Sequence, residues 1–230
     1  MNTVGIIGGI GPESTVEYYR LIVSAYLERQ GNGNYPQIII NSINMRKMLD
    51  LIGDNKFEEV TEYLVDEIQK LASAGADFAL LASNTPHIVF NEINQKSPLP
   101  LISIVEAACQ EAKRRGMQRV GLFGTKFTMQ GGFYDQIFSD HAITVISPAD
   151  DDQDYIHDIY MGELVKGIFR DETKKELLNI ANKLIEKENI QGLILGGTEL
   201  PLILKEEDAE GVEFLDTTKI HVESIMQRLL

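Results

Sequence analysis

The sequence of 230 residues is poor in cysteine and histidine, and it contains no tryptophan. Its single cysteine, Cys109, excludes an intramolecular disulfide and a metal site built from several thiolates. The four histidines are scattered along the chain, so they predict no metal centre. Cys109 lies in "IVEAACQEAKRR", whose apolar spacing is helical, and we interpret it as a small buried side chain.

Positive charge and long apolar runs are also scarce. Twenty-one lysines and arginines stand against 35 aspartates and glutamates, which gives a formal net charge of -14. This charge repels phosphate backbones and anionic lipid surfaces, so we expect neither nucleic acid nor a membrane as a partner. No apolar run is long enough to span a bilayer, and the amino terminus has no secretory signal pattern. We therefore expect a cytoplasmic protein.

The sequence does contain short apolar runs that alternate with amphipathic helical stretches, a pattern typical of parallel sheets. The predicted strands are "TVGIIG", "PQIIINSI", "DFALLAS", "PLPLIS", "RVGLFG", "AITVIS", "IQGLILGG" and "VEFLD". "VGIIGGIGPES" and "VGLFGTKFTMQ" begin two similar series, and "FALLASNTPH" pairs with "GLILGGTELP" at matching spacing. We predict an α/β protein with two pseudosymmetric domains, residues 1–100 plus 217–230 and residues 101–216. Each domain has a parallel-type central sheet.

The loop "GIIGGIGPES" follows the first predicted strand and resembles part of a dinucleotide fingerprint. Gly9 and Gly11 fit the first two glycine positions, but the third position is Ser14, and Pro12 offers no amide proton. An NAD site is therefore not favoured. Because ligands of parallel sheets bind beyond the carboxyl ends of the strands, we interpret Gly9 and Ile10 as one wall of an interdomain cleft.

Two polar segments follow predicted strands at equivalent places of the two series. "ASNTPH" supplies Asn84 and Thr85, and "GGTELP" supplies Thr198 and Glu199. Such side chains and helix amides can hold a carboxylate, although they are also ordinary turn and capping residues. Their repetition at two strand ends favours a site. His87 lies near Ser83, but a G-x-S-x-G elbow and an acid partner are missing, so a serine hydrolase is not favoured.

Four further residues are candidates for binding an anion. Thr125 and Thr128 in "GTKFTM" can form an anion cradle or a helix cap. Lys166 lies in "MGELVKGIF" on a predicted helix, and Arg46 follows the second strand. Each of these basic side chains is either a carboxylate partner or simply solvated.

"GIIGGIGPEST", "ASNTPH", "GLFGTKFTM" and "LGGTELP" together resemble the aspartate/glutamate racemase family, over nearly the whole chain. The resemblance implies cofactor-independent chemistry without pyridoxal phosphate, usually in a homodimer, with a small amino acid or carboxylate bound between the domains. In the family, one cysteine stands in C-N-T-x-H and another in G-C-T-E. One thiolate removes the α proton, and the other thiol returns a proton on the opposite face.

Carried onto this chain, the two cysteine positions become Ser83 and Gly197. The matching family residues are Asn84, Thr85, His87, Gly196, Thr198 and Glu199. Lys166 falls where members place a lysine that holds the substrate carboxylate, and Arg46 is a looser match. The leading hypothesis is a racemase for a small acidic amino acid, with catalytic candidates Ser83, Gly197, Thr198 and Glu199. The alternatives are a binding protein that has lost the chemistry, and a decarboxylase or hydrolase that works on one face.

Overall fold

The computed structural model describes residues 2–31, 33–208 and 211–230. The chain divides into two compact units, one made of Met1–Ser103 with His221–Leu230 and the other of Ile104–Ile220. Each unit contains a four-stranded sheet in which every pairing is parallel. The predicted α/β class with two parallel sheets is thereby confirmed.

In the first unit the sheet order is β2-β1-β3-β4. Its elements are β1 (Thr3–Gly8), α1 (Pro12–Gln30), β2 (Gln37–Ser42), α2 (Met45–Gly53), α3 (Phe57–Ser73), β3 (Phe78–Leu81), a 3-10 turn (Thr85–Val89), α4 (Phe90–Lys96) and β4 (Leu101–Ile102). The apolar residues of β1 and β3 are completely buried, as expected for central strands covered on both faces.

In the second unit the order is β6-β5-β7-β8, which repeats the topology of the first sheet. Its elements are α5 (Ile104–Arg114), β5 (Arg119–Gly124), α6 (Lys126–Gln130), α7 (Phe133–Ser139), β6 (Thr144–Ile146), α8 (Asp150–Gly162), a 3-10 turn (Leu164–Lys166), α9 (Asp171–Glu188), β7 (Gly192–Gly196), α10 (Leu200–Ile203), a 3-10 turn (Glu206–Asp208) and β8 (Glu213–Asp216). The last helix, α11 (Thr217–Leu229), returns the chain to the first unit.

The carboxyl-terminal helix completes the core of the first unit. Four of its apolar side chains, those of Val222, Ile225, Met226 and Leu229, are buried together with residues of β1, α1 and β3. A side chain of this size contributes about 1.5 to 3 kcal/mol when it is fully buried. The first unit therefore depends on both ends of the chain.

Three local predictions need correction. "FTMQGGFYDQIF" is predicted as one helix, but it breaks into α6 and α7, where Gly132 adopts a φ of 71°. Lys166 is predicted on a helix that continues from α8, whereas α8 ends at Gly162 and Lys166 closes a short 3-10 turn. The predicted boundary after residue 100 assigns β4 to the second domain, yet β4 pairs with β3 in the first sheet.

In the part of the chain that the structure describes, no helix is both long and apolar enough to cross a membrane.

Candidate active site

The loop after β1 is held by its own backbone and by Thr15. The Thr15 hydroxyl accepts a hydrogen bond from the amide of Gly9 at 2.8 Å and lies 3.2 Å from the carbonyl oxygen of Gly11, to which it donates. Gly9 has a φ of 79°, and a Cβ atom there would lie 2.6 Å from the carbonyl oxygen of Ile43. Ile10 is buried. Gly9 is therefore required by the close approach of the chain after β2.

Ser83, Asn84 and Thr85 follow β3 after one intervening residue, Ala82, and all three are buried. Because β1 and β3 are parallel neighbours, these residues follow the same edge of the sheet as the Gly9 loop. The first unit thus brings together five predicted site residues: Gly9, Ile10, Ser83, Asn84 and Thr85.

His87 stabilises this strand end. Its Nδ1 donates to the carbonyl oxygen of Ser83 at 3.1 Å, and its ring stacks on Phe90 with a centroid distance of 4.8 Å. Burial, with a smaller contribution from His221, lowers the pKa of His87 to about 3. A neutral imidazole whose Nδ1 proton faces the Ser83 backbone is a structural group, and it is a weak general base.

A second buried histidine, His221, lies in the same unit. Its Nδ1 is 2.7 Å from the hydroxyl of Tyr18, and its Nε2 is 3.0 Å from the carbonyl oxygen of Ile102. Since a carbonyl only accepts, Nε2 carries the proton and Nδ1 accepts from Tyr18. Burial lowers the pKa of His221 to about 4.

In the second unit, Thr125 begins α6 as its N-cap. Its hydroxyl accepts from the amide of Thr128 at 3.3 Å, and the two hydroxyls lie 3.2 Å apart. Both side chains are buried. His157, on α8, accepts from the amide of Lys126 at 3.2 Å, and burial lowers its pKa. The capping role accounts for the spacing of the two threonines, and His157 is a neighbour that the sequence reasoning missed.

Glu199 is the most strongly engaged residue after β7. Its carboxylate accepts from the hydroxyl of Tyr160 and, at 3.0 Å, from the hydroxyl of Thr198. Glu199 and Thr198 are almost fully buried, and Tyr160 is only 6% exposed. Burial first, and the nearby Glu199 charge second, hold the pKa of Tyr160 well above its ordinary range. The phenol therefore keeps its proton and stabilises the carboxylate.

Tyr160 also covers Gly197. A Cβ atom built on Gly197 would lie 2.3 Å from Cε2, 2.7 Å from Oη and 2.8 Å from Cζ of the tyrosine. The backbone of Gly197 is not in the left-handed region, so its conformation alone does not require glycine. The tyrosine ring is what excludes a side chain at this position. Tyr160 is not predicted as a site residue, because its only signal in the sequence is an aromatic residue at a buried helical position.

The two basic candidates are exposed. Arg46 lies in the first turn of α2, where its guanidinium pairs with Asp50 at 2.9 Å and its side chain is 85% exposed. Lys166 is exposed, and Gly167 follows it with a φ of 70°. Among the residues that the structure describes, no group of three or more His, Cys, Asp or Glu is placed to hold a metal ion.

Comparison with known proteins agrees with this architecture. The family model for Asp/Glu/Hydantoin racemase matches residues 7–225. The chain is 30% identical over 146 residues to the broad specificity amino-acid racemase RacX of Bacillus subtilis, covering 62% of this chain and 63% of that protein. It thus spans somewhat less than two thirds of RacX.

Two solved structures resemble the whole chain. One is a putative Asp/Glu racemase from Yersinia pestis, with a TM-score of 0.89, 32% identity and coverage of 100% of this chain and 99% of that one. The other is PH1733, an aspartate racemase homologue from Pyrococcus horikoshii, with a TM-score of 0.85, 34% identity and the same coverage. With the family match across most of the sequence, these similarities show that the chain belongs to the Asp/Glu/Hydantoin racemase family.

Proposed function

We propose that this chain binds a small acidic amino acid, such as aspartate or glutamate, and catalyses exchange of its α proton. The observation that carries the proposal is the equivalence of two polar strand ends, Ser83–Asn84–Thr85 and Gly197–Thr198–Glu199. They follow β3 and β7, which hold the same place in two sheets of the same topology. Membership of a racemase family supports α-carbon chemistry at these ends.

The chain's single thiol does not serve this chemistry. Cys109 lies on α5, fully buried, with its Sγ 3.9 Å from the carbonyl oxygen of Ile137. Burial raises the pKa of Cys109 to about 11, so the thiolate is suppressed at neutral pH. The groups that remain at the strand ends are the Ser83 hydroxyl and the Glu199 carboxylate with its partner Thr198. The proposed exchange therefore depends on oxygen groups.

Binding without exchange is the second candidate. It is favoured by the contacts of Glu199, whose carboxylate already accepts from Tyr160 and Thr198. These contacts hold the carboxylate to residues of its own unit, as in a group with a structural role.

Incubation of each enantiomer of aspartate and glutamate in deuterium oxide separates the candidates. Calorimetry measures binding, NMR follows the α proton, and chiral chromatography follows configuration. Exchange, with or without inversion, supports the proposal, whereas binding without exchange favours the second candidate. No binding of any of the four amino acids would overturn both.

Replacing Lys166 by methionine is expected to weaken binding of the amino acid about tenfold or more, because a charge-assisted contact contributes roughly 1.5 to 3 kcal/mol. Methionine keeps most of the aliphatic stem. Lys175→Met, at an exposed position of α9 in the same unit, is the matched control and should leave the dissociation constant unchanged. Equal dissociation constants for the two variants would show that Lys166 does not contact the bound amino acid.

A further inference from the structure

We infer that Tyr160 determines the stereochemical outcome at this site, because its ring occupies the space that an acid–base side chain at position 197 requires. The inference rests on the proposed function, in which α-proton chemistry takes place beside Gly197. It goes further by assigning the outcome to one residue: exchange proceeds without inversion as long as the tyrosine ring is present.

Three atoms of the Tyr160 side chain obstruct position 197. The distances of 2.3, 2.7 and 2.8 Å from a Cβ on Gly197 run to Cε2, Oη and Cζ, all at the far end of the side chain. Carbon atoms that are not bonded to each other prefer separations of about 3.5 to 4.0 Å. Tyr160 is buried and its hydroxyl donates to Glu199, so the ring cannot simply turn away.

The hydrogen bond between the Tyr160 hydroxyl and the Glu199 carboxylate also affects proton transfer at the site. Inversion needs one group that removes the α proton and another that returns a proton on the opposite face. Position 197 has no side chain, and the phenol that takes its space donates a hydrogen bond to Glu199 and keeps its proton. The second sheet therefore presents a closed hydroxyl–carboxylate pair where the family places a thiol, and proton transfer is restricted to one face.

The packing is tested by a stability cycle. Gly197→Ala is introduced into the unmodified protein, into Tyr160→Leu and into Tyr160→Phe. Leucine lacks the three obstructing atoms, whereas phenylalanine keeps Cε2 and Cζ. We expect the alanine to lower the melting temperature in the unmodified and phenylalanine backgrounds and to have little effect in the leucine background. An alanine tolerated in the unmodified protein, or equal losses in all three backgrounds, would overturn the inference.

The outcome of the reaction is tested by installing thiols. Ser83→Cys with Gly197→Cys is combined with Tyr160, with Tyr160→Leu and with Tyr160→Phe, and formation of the opposite enantiomer of aspartate and glutamate is measured. We expect inversion at least tenfold faster in the leucine background than in the other two. Equal rates of inversion in the three backgrounds would contradict the role of Tyr160.

The stereochemistry of exchange in the unmodified protein tests the inference without requiring any variant to fold. Exchange with retention is the expected result, and inversion by the unmodified protein would overturn the inference while leaving the proposed function intact. Failure to bind either amino acid would instead overturn the proposed function, and with it the role assigned to Tyr160.

Discussion

Replacement of Gly9 by alanine is expected to destabilise the first unit severely, by about 4 kcal/mol or more, which is exceptional for a single methyl group. The methyl would lie 2.6 Å from the carbonyl oxygen of Ile43, 2.8 Å from its amide nitrogen and 2.6 Å from the hydroxyl of Ser42. That same amide donates to the carbonyl oxygen of Gly8 at 2.9 Å. The chain after β2 cannot retreat without losing this bond, and the φ of 79° adds left-handed strain.

Gly31→Ala is the matched control. Gly31 ends α1 with a φ of 60°, and a Cβ atom there would meet no atom of the described residues within 4 Å. It should therefore lose only about 1 to 2 kcal/mol, the ordinary cost of a left-handed conformation. Urea unfolding of both variants, followed by circular dichroism, measures the difference. Similar losses for the two would mean that strain alone, and not the contact with Ile43, explains the glycine in the first loop.

Lowering the pH is expected to reduce the free energy of unfolding of the first unit, and this loss begins well above the pH range in which most carboxylates titrate. His87 and His221 remain neutral in the folded state until about pH 3 and about pH 4 respectively. In the unfolded chain both take up a proton near pH 6.5. The unfolded state thus binds more protons, so stability is full above about pH 6.5 and falls as the pH drops below it. Each histidine contributes a slope of up to about 1.4 kcal/mol per pH unit.

The variant His87→Phe isolates one of these contributions. Phenylalanine preserves the stacking on Phe90 and removes the titrating group, although the carbonyl oxygen of Ser83 loses its donor. Denaturant unfolding is measured between about pH 7 and about pH 5. The slope of the free energy of unfolding against pH should be smaller than in the unmodified protein by up to roughly 1.4 kcal/mol per pH unit. An unchanged slope in this variant would mean that His87 takes up its proton in the folded state.

The eight strands in the described part of the chain are predictable from the sequence, because central parallel strands are continuous apolar runs bounded by glycine and polar residues. β4 is shorter than its predicted segment "PLPLIS", and the prolines at its start explain this, since proline cannot donate to a neighbouring strand. α2 was not predicted, although Asn44 caps it by accepting from the amide of Lys47. The sequence pattern also predicts a helix across the glycine pair that separates α6 from α7.

The candidate site was predictable only where its residues follow strands directly. Ser83, Asn84, Thr198 and Glu199 are placed by their positions next to β3 and β7. Tyr160 lies 39 residues before Glu199 in the sequence, and only the packing of α8 brings the two together. The sequence alone does not show whether backbone conformation or close packing requires glycine at position 197. Only the folded structure, which places Tyr160 against it, distinguishes the two reasons.

The division of the first unit between the two ends of the chain sets an order of events during protein synthesis. Residues 1–103 are made before the second unit, but the helix that covers their apolar side chains is made after it. The second unit is one continuous segment, Ile104–Ile220. Domains generally fold as units while the chain is being synthesised. The second unit is therefore the first whose segments have all been synthesised, and the nascent first unit exposes apolar surface until α11 has been made.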